Sequence, residues 1–111
     1  MTATNCIFCK IREKEIPKEF IYEDDDIMVF PDIYPVKPIH LLVIPKKHIT
    51  DFMELDDNAL FGKIKHIIHK MVKEQHLQEK GYRLIVNGGG AQAIDHLHFH
   101  ITGPWSKTAQ L

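Results

Sequence analysis

A chain of 111 residues with 44% hydrophobic residues predicts one domain over residues 1–111 that buries enough surface to fold without several disulfides. Its 14 basic and 15 acidic residues give a net charge of −1, which argues against polymeric nucleic acid as a partner. No apolar stretch has the length of a membrane span and the first residues do not resemble a secretory signal, so we expect a cytoplasmic protein with no membrane partner.

The first half of the chain is rich in strand-forming residues separated by turns. Residues 20–22 and 27–30 carry β-branched and aromatic side chains on either side of the acidic turn 23–26, which predicts a hairpin. Three prolines then indicate a loop over residues 31–38, because proline has no backbone donor and restricts the residue before it. The nearly continuous apolar run 39–44 predicts a central strand.

The second half begins with helical periodicity. From about residue 56 to 78, apolar side chains recur every three or four positions, which predicts a long helix with one apolar face. We expect Gly81 to end this helix, since glycine readily adopts the left-handed conformation found at helix ends. Residues 82–87 predict a further strand, followed by the glycine turn 88–90. The apolar helix positions are Leu60, Phe61, Ile64, Ile67, Ile68, Met71 and Val72.

A strict alternation of histidine and apolar residues occupies positions 96–101. On a strand, this period of two places His96, His98 and His100 on one face and their apolar neighbours in the core. One histidine on a half-exposed strand would require no functional explanation, but three in alternation indicate a site. A metal site is the main alternative to a catalytic one, because neutral imidazole is a common metal ligand.

The two cysteines, Cys6 and Cys9, have the C-x-x-C spacing of half a tetrahedral zinc site. In the cytoplasm they would be kept reduced, so a structural disulfide is not expected. Two alternatives remain at this point, a pair of buried thiols or a redox pair. A redox pair is normally found at a helix start in a βαβ context that this sequence does not show.

Five sequence blocks stand out together: CIFCKI at 6–11, FPDIYP at 30–35, HLLVIPKKHI at 40–49, GYRLIVN at 81–87 and HLHFHIT at 96–102. In this order, and across nearly the whole chain, they resemble the histidine triad (HIT) superfamily, in its histidine triad nucleotide-binding branch. The strand and helix pattern predicts an α+β fold, an antiparallel sheet of about five strands covered on one face by the main helix. The resemblance adds a short N-terminal helix and a homodimer whose sheets join edge to edge.

The resemblance implies a hydrolase or transferase that cleaves nucleoside 5′-phosphoramidates, such as AMP linked to an amine. His98 would attack the α-phosphorus and form a nucleotidyl-histidine intermediate, while His96 and His100 assist. His40 matches a fourth histidine at the phosphate. A neutral imidazole is a competent nucleophile near pH 7. The alternatives are a dinucleoside polyphosphate hydrolase with the same nucleophile and a non-catalytic nucleotide-binding module.

The same resemblance implies the groups that would bind a purine nucleotide. Asp32 would accept hydrogen bonds from the ribose hydroxyls, and Asn87 and Gln92 would lie near the phosphate. In related bacterial proteins, histidines matching His48 and His96 complete the zinc site begun by the two cysteines, so structural Zn²⁺ is expected and no organic cofactor. The apolar slot for the base would comprise Ile7, Phe8, Ile11, Phe30, Ile33 and Leu42.

Two regions depart from the family pattern. The loop 88–95 looks about two residues shorter, and Ala91 and Ala93 replace a glycine and a serine that contacts the phosphate in the family. Because alanine offers no hydroxyl donor, the rate of turnover is in question. The chain after Thr102 is also brief, and Trp105 is expected either to shape the leaving-group side or to anchor the chain end.

Overall fold

The computed structural model describes residues 5–107, which form an α+β fold with one antiparallel sheet, as predicted. The elements are α1 (Ile7–Arg12), β1 (Tyr22–Glu23), β2 (Ile27–Pro31), β3 (Ile39–Pro45), a single 3₁₀ turn (Phe52–Glu54), α2 (Asn58–Glu74), β4 (Arg83–Val86) and β5 (Phe99–Gly103). The strands lie in the order β1-β2-β3-β5-β4. No helix among these residues is both long enough and apolar enough to cross a bilayer.

Helix α2 covers one face of the sheet, as the periodicity predicts. The carboxylate of Asp57 caps its start by accepting a hydrogen bond from the Leu60 amide at 3.0 Å. Phe61, although part of the predicted apolar stripe, lies at its margin and is 42% exposed. Packing of the stripe against alternate residues of β2, β3 and β5 forms the main core, which includes Ile27, Val29, Leu41, Val43, Ile64, Ile67, Met71, Phe99 and Ile101.

The predicted end of the helix is wrong. Helix α2 ends at Glu74, seven residues before Gly81, and the left-handed residue after it is His76, with φ of 57°. Gly81 does have a positive φ of 89°, but for another reason. A Cβ at Gly81 would lie 2.0 Å from the carbonyl oxygen of Trp105, so glycine is required where the two segments approach closely.

The opposite face of the sheet carries the histidines, and we call it the histidine face. Directly opposed residues of an antiparallel pair lie on the same face. One such row crosses four strands, with Phe30 opposite Leu42, Leu42 opposite His100, and His100 opposite Ile85. Helix α1 covers the β2 and β3 end of this face in a second buried cluster of Cys6, Phe8, Cys9, Ile11, Met28, Phe30, Leu42 and Ile44.

The strand predicted over residues 96–101 begins only at Phe99. The ladder with β3 stops at the pair Val43 and Phe99, close to Pro45, which has no amide hydrogen to donate. The Leu97 amide instead donates to the Ile49 carbonyl, outside the ladder. His96 and His98 therefore both lie before β5, and of the three histidines the ladder fixes His100 alone on the histidine face.

Candidate active site and metal centre

Four predicted metal ligands meet beside helix α1. One ligand atom from each of Cys6, Cys9, His48 and His96 lies within 4.8 Å of all the others. Both cysteines are reduced and buried, and the Cys6 sulfur also accepts a hydrogen bond from the Cys9 amide at the helix start. The His96 Nδ1 lies 3.3 Å from the Cys6 sulfur, 3.6 Å from the Cys9 sulfur and 3.1 Å from the His48 Nδ1.

The protonation of His96 suits a metal ligand. Its Nε2 lies 2.7 Å from the Pro45 carbonyl oxygen, which can only accept, so the proton is on Nε2 and the Nδ1 lone pair faces the cluster. Burial is the main cause that lowers the pKa of His96 to about 4, with a smaller effect from the nearby His48 ring. A tetrahedral zinc ion with bonds of about 2.0–2.3 Å requires ligand separations of roughly 3.3–3.8 Å. The four side chains fit such an ion.

The His98 ring is oriented by a neighbouring carbonyl group. Its Nδ1 lies 2.7 Å from the carbonyl oxygen of His96, so Nδ1 carries the proton and Nε2 has a free lone pair. The side chain is buried, and its ring packs edge-on against Phe8 with centroids 5.1 Å apart. The His100 ring lies 4.9 Å away, centroid to centroid. In the neutral ring this hydrogen bond leaves Nε2 as the unprotonated nitrogen.

His40 and His100 form a second hydrogen-bonded chain. The Val36 amide donates to His40 Nδ1 at 3.2 Å, which places the His40 proton on Nε2. That Nε2 lies 2.9 Å from His100 Nδ1 and 3.4 Å from a carboxylate oxygen of Asp32. His100 Nδ1 therefore accepts, and its proton is on Nε2. Within the described part of the chain, this Nε2 is the one buried side-chain nitrogen or oxygen without a hydrogen-bond partner.

The electrostatics keep His100 neutral. Burial is the main cause that lowers its pKa to about 4, and the charges of His98 and His40 lower it further while Asp32 opposes them. At pH 7 the His100 ring is therefore neutral, and its Nε2–H is a hydrogen-bond donor without an acceptor among the described residues. His40 is hydrogen-bonded to His100, so its effect on the site is transmitted through the His100 ring.

The set Asp32, His40 and His100 is also close enough to surround an ion. The hydrogen bonding argues against that use, because the Val36 amide occupies the His40 Nδ1 lone pair and the proton on Nε2 would point at the metal. The Asp32 carboxylate is oriented by the Tyr34 amide, which donates to it at 2.8 Å. It retains lone pairs for further donors such as hydroxyl groups.

The loop 88–95 is held by side chains at its base. The Asp51 carboxylate accepts a hydrogen bond from the Gly89 amide at 2.6 Å, and this bond lowers the pKa of Asp51. Gln92 accepts from the Gly90 amide at 3.0 Å and donates to the Thr50 carbonyl at 3.3 Å. The Gln92 side chain therefore bonds within and beneath the loop, and Asn87 is exposed directly after β4.

Three of these supporting groups were not predicted from the sequence: the carboxylate of Asp51, the carbonyl of Pro45 and the amide of Val36. Asp51 could have been found as the cap of the short 3₁₀ turn, because aspartate often precedes such a turn. The two backbone groups leave no signal in the sequence, since every residue has a carbonyl and nearly every residue an amide.

The six apolar residues predicted to hold a base do not share one environment. Phe8, Ile11, Phe30 and Leu42 are buried in the α1 cluster beside His98. Ile7 and Ile33 are exposed by 48% and 67%. The four buried members form an apolar wall on β2, β3 and α1, and two of them, Phe30 and Leu42, belong to the row that contains His100.

Comparisons with known proteins agree with this fold. Residues 5–111 match the protein family described as scavenger mRNA decapping enzyme C-term binding. An uncharacterised HIT-like protein of Rickettsia prowazekii is 43% identical over 102 residues, 87% of this chain and 85% of that protein. A HIT family hydrolase from Legionella pneumophila has a TM-score of 0.87 at 41% identity, covering 95% of this chain and 97% of its own. A histidine triad nucleotide-binding protein from Candida albicans has a TM-score of 0.80 at 30% identity, covering 96% and 86%. The chain belongs to the histidine triad superfamily.

Proposed function

We propose that the protein hydrolyses nucleoside 5′-phosphoramidates of the AMP–amine type, with His98 as the nucleophile. The observation that carries this proposal is the hydrogen bond between His98 Nδ1 and the His96 carbonyl, which leaves the His98 Nε2 lone pair free. An imidazole with that protonation can attack phosphorus without first losing a proton. The names of the Legionella and Candida structures, a hydrolase and a nucleotide-binding protein, support the same class of activity.

The reaction would proceed in two displacements at the α-phosphorus. In the first, His98 Nε2 forms a bond to phosphorus while the P–N bond breaks, and the amine nitrogen takes a proton from solvent water as it leaves. The unpartnered Nε2–H of His100 is a buried donor for a phosphoryl oxygen or for the departing amine. In the second, water breaks the bond between His98 and phosphorus and releases the nucleoside monophosphate.

Purine binding is part of the proposal. The apolar wall of Phe8, Ile11, Phe30 and Leu42 would take the base, and Asp32 would accept hydrogen bonds from the ribose hydroxyls. The wall suits a flat apolar ring, because aromatic side chains present a large rigid surface. In this arrangement the base lies over β2 and β3 and the phosphoryl group over β5.

The test is hydrolysis of adenosine 5′-phosphoramidate and of a diadenosine polyphosphate by the wild type, by His98→Asn and by His66→Gln. His66 is exposed on α2 and serves as the matched control. We expect the wild type and His66→Gln to release AMP from the phosphoramidate, and His98→Asn to lose at least a thousandfold in kcat/KM. Faster cleavage of the polyphosphate would favour the alternative substrate. Binding of AMP without any turnover would favour a non-catalytic nucleotide-binding module. The reason to test this alternative is Ala93, which offers no hydroxyl donor where the family has a serine.

We also propose that Cys6, Cys9, His48 and His96 hold a structural zinc ion. The ion would tie α1 to the chain around His48 and His96, and it would polarise no substrate in this role. His96 would then serve the site in two ways, since its ring faces the cluster while its carbonyl orients His98. Elemental analysis of the purified protein tests this, and less than about half an equivalent of zinc per chain would contradict it.

A second copy of the chain is the proposed partner at the β4 edge. Strand β4 pairs on one side only and exposes Leu84, Ile85 and Val86 by 37–48%. Beside it lies a largely apolar groove of about 630 Å³ that includes Phe61 and Val72 of α2. An unpaired apolar edge with an adjoining groove is a surface that proteins normally cover. Light scattering would give twice the chain mass, and Leu84→Lys would shift it to that of one chain.

A further inference from the structure

Trp105 lies between two positive charges. The ammonium nitrogen of Lys37 is 4.0 Å from the centre of its indole ring, and the guanidinium carbon of Arg83 is 3.7 Å from the same centre. The two cations are therefore within about 8 Å of each other. The indole is fixed in turn, because its Nε1–H donates to the Thr102 hydroxyl at 2.8 Å and the Trp105 amide bonds to the chain at Gly81.

The sheet register places this group on the histidine face. Thr102 lies opposite His40 on β3 and opposite Arg83 on β4. This row is the neighbour of the row that runs from Leu42 through His100 to Ile85. Residues at such diagonal positions are about 7–8 Å apart. Arg83 and the indole of Trp105, which is bonded to Thr102, therefore lie one row along the strands from His100, and Lys37 reaches the same indole from the loop before β3.

The direction of the substrate follows from the proposed function, on which this inference rests. If the base lies over β2 and β3 and the α-phosphoryl group over β5, the group attached beyond that phosphorus extends over β4. Arg83 is the charged residue of β4, and its strand neighbour Ile85 lies directly opposite His100. The leaving group would thus pass Ile85 and approach the two cations.

The charges of Lys37 and Arg83 are unpaired within the described part of the chain. Among residues 5–107, no carboxylate forms an ion pair with Lys37 or Arg83. Lys37 is half-buried. Contact with the face of the Trp105 indole stabilises the position of each cation. Two fixed positive charges beside a neutral indole attract an anion, and arginine in particular binds carboxylate and phosphate groups through paired donors.

We propose that Lys37, Trp105 and Arg83 form a subsite for an acidic leaving group, one that carries a carboxylate or a further phosphate. The carboxylate could come from an amino acid joined to AMP through its amine, and the phosphate from a polyphosphate chain. The shared chemistry is a negative charge a few bonds beyond the scissile P–N or P–O bond. Trp105 would hold the two cations apart and cover the attached group.

The experiment compares three substrates that share AMP: its phosphoramidate with glycine, its phosphoramidate with glycinamide, and diadenosine triphosphate. Glycine and glycinamide differ at the free carboxylate, so their ratio of kcat/KM measures recognition of that charge. We expect the wild type to prefer the glycine substrate by roughly tenfold, as one charged hydrogen bond would give. Arg83→Gln and Lys37→Gln should each reduce this ratio toward one. Lys70→Gln, on the exposed side of α2, should keep the wild-type ratio.

A preference for diadenosine triphosphate over the glycinamide substrate, lost in the same variants, would assign the subsite to phosphate. Ratios near one for both acidic substrates in an active wild type would overturn the subsite and leave the proposed function intact. If the wild type hydrolyses none of them, the proposed function fails. The subsite is then decided by calorimetric titration of His98→Asn with the glycine and glycinamide compounds, where equal dissociation constants would refute it.

Discussion

His100 makes the stability of the protein depend on pH. Burial first, and then the charges of His98 and His40, lower its pKa from an ordinary 6.5 to about 4. The unfolded chain takes up this proton near pH 6.5, so between pH 6.5 and 4 the unfolded state binds more protons than the folded state. The contribution of His100 to the free energy of unfolding is therefore fully present above about pH 6.5 and is lost as the pH falls toward 4.

The magnitude follows from the size of the shift. One pKa unit corresponds to about 1.4 kcal/mol, so the full window is worth about 3 kcal/mol and the part between pH 7 and 5 about 2 kcal/mol. The ring is only partly buried, and solvent around it reduces the effect, so we expect a loss of about 1–2 kcal/mol between pH 7 and 5. His96, whose pKa burial also lowers to about 4, adds a similar loss when no metal is bound.

Urea denaturation in the presence of EDTA at pH 7, 6 and 5 measures this dependence. The wild type is compared with His100→Asn and with His66→Gln, which alters an exposed histidine. The contribution of His96 is common to all three proteins and cancels in the comparison. Between pH 7 and 5 we expect the free energy of unfolding of His100→Asn to fall by about 1–2 kcal/mol less than that of the wild type. The free energy of unfolding of His66→Gln should fall by the same amount as that of the wild type. Equal pH dependence in His100→Asn and wild type would refute the reasoning.

Three further outcomes are expected. Gly81→Ala should lower the free energy of unfolding in urea by about 2 kcal/mol or more, because the added Cβ meets the carbonyl of Trp105 and Gly81 has a positive φ. Gly62→Ala, which has open space around it on helix α2, should raise that free energy by about 0.5–1 kcal/mol. Similar effects at the two sites would contradict this expectation. Cys6→Ser should melt below the wild type in buffer containing zinc and close to it in EDTA, and a difference that persists unchanged in EDTA would argue against a metal role. Asp51→Ala should lower kcat/KM for the phosphoramidate roughly tenfold by releasing the glycine loop, and unaltered kinetics would show that the loop needs no such anchor.

Local periodicity was sufficient to predict most of the fold. The three- and four-residue spacing identified α2, and short runs of β-branched, aromatic or apolar residues identified most of the strands. The period of two over residues 96–101 identified β5, although that strand begins only at Phe99. The C-x-x-C spacing and the alternating histidines marked both candidate sites. The extent of the domain over residues 1–111 and the cytoplasmic location stay predictions. The predicted helix end at Gly81 failed because the glycine is required by contact with Trp105, 24 residues along the chain.

The orientations of the three histidines, in contrast, were decided by tertiary structure. The period of two placed His96, His98 and His100 on one strand face without distinguishing them, and separate roles were implied by the family resemblance alone. In the structure the ladder stops before Pro45, whose carbonyl accepts a hydrogen bond from the His96 ring. That ring turns to the cysteines, 87 and 90 residues away in sequence, while His98 and His100 stay together. The tautomers of His96 and His98 are set by backbone carbonyls that any residue could supply, so only their position in space distinguishes the proposed ligand, nucleophile and donor among three identical side chains.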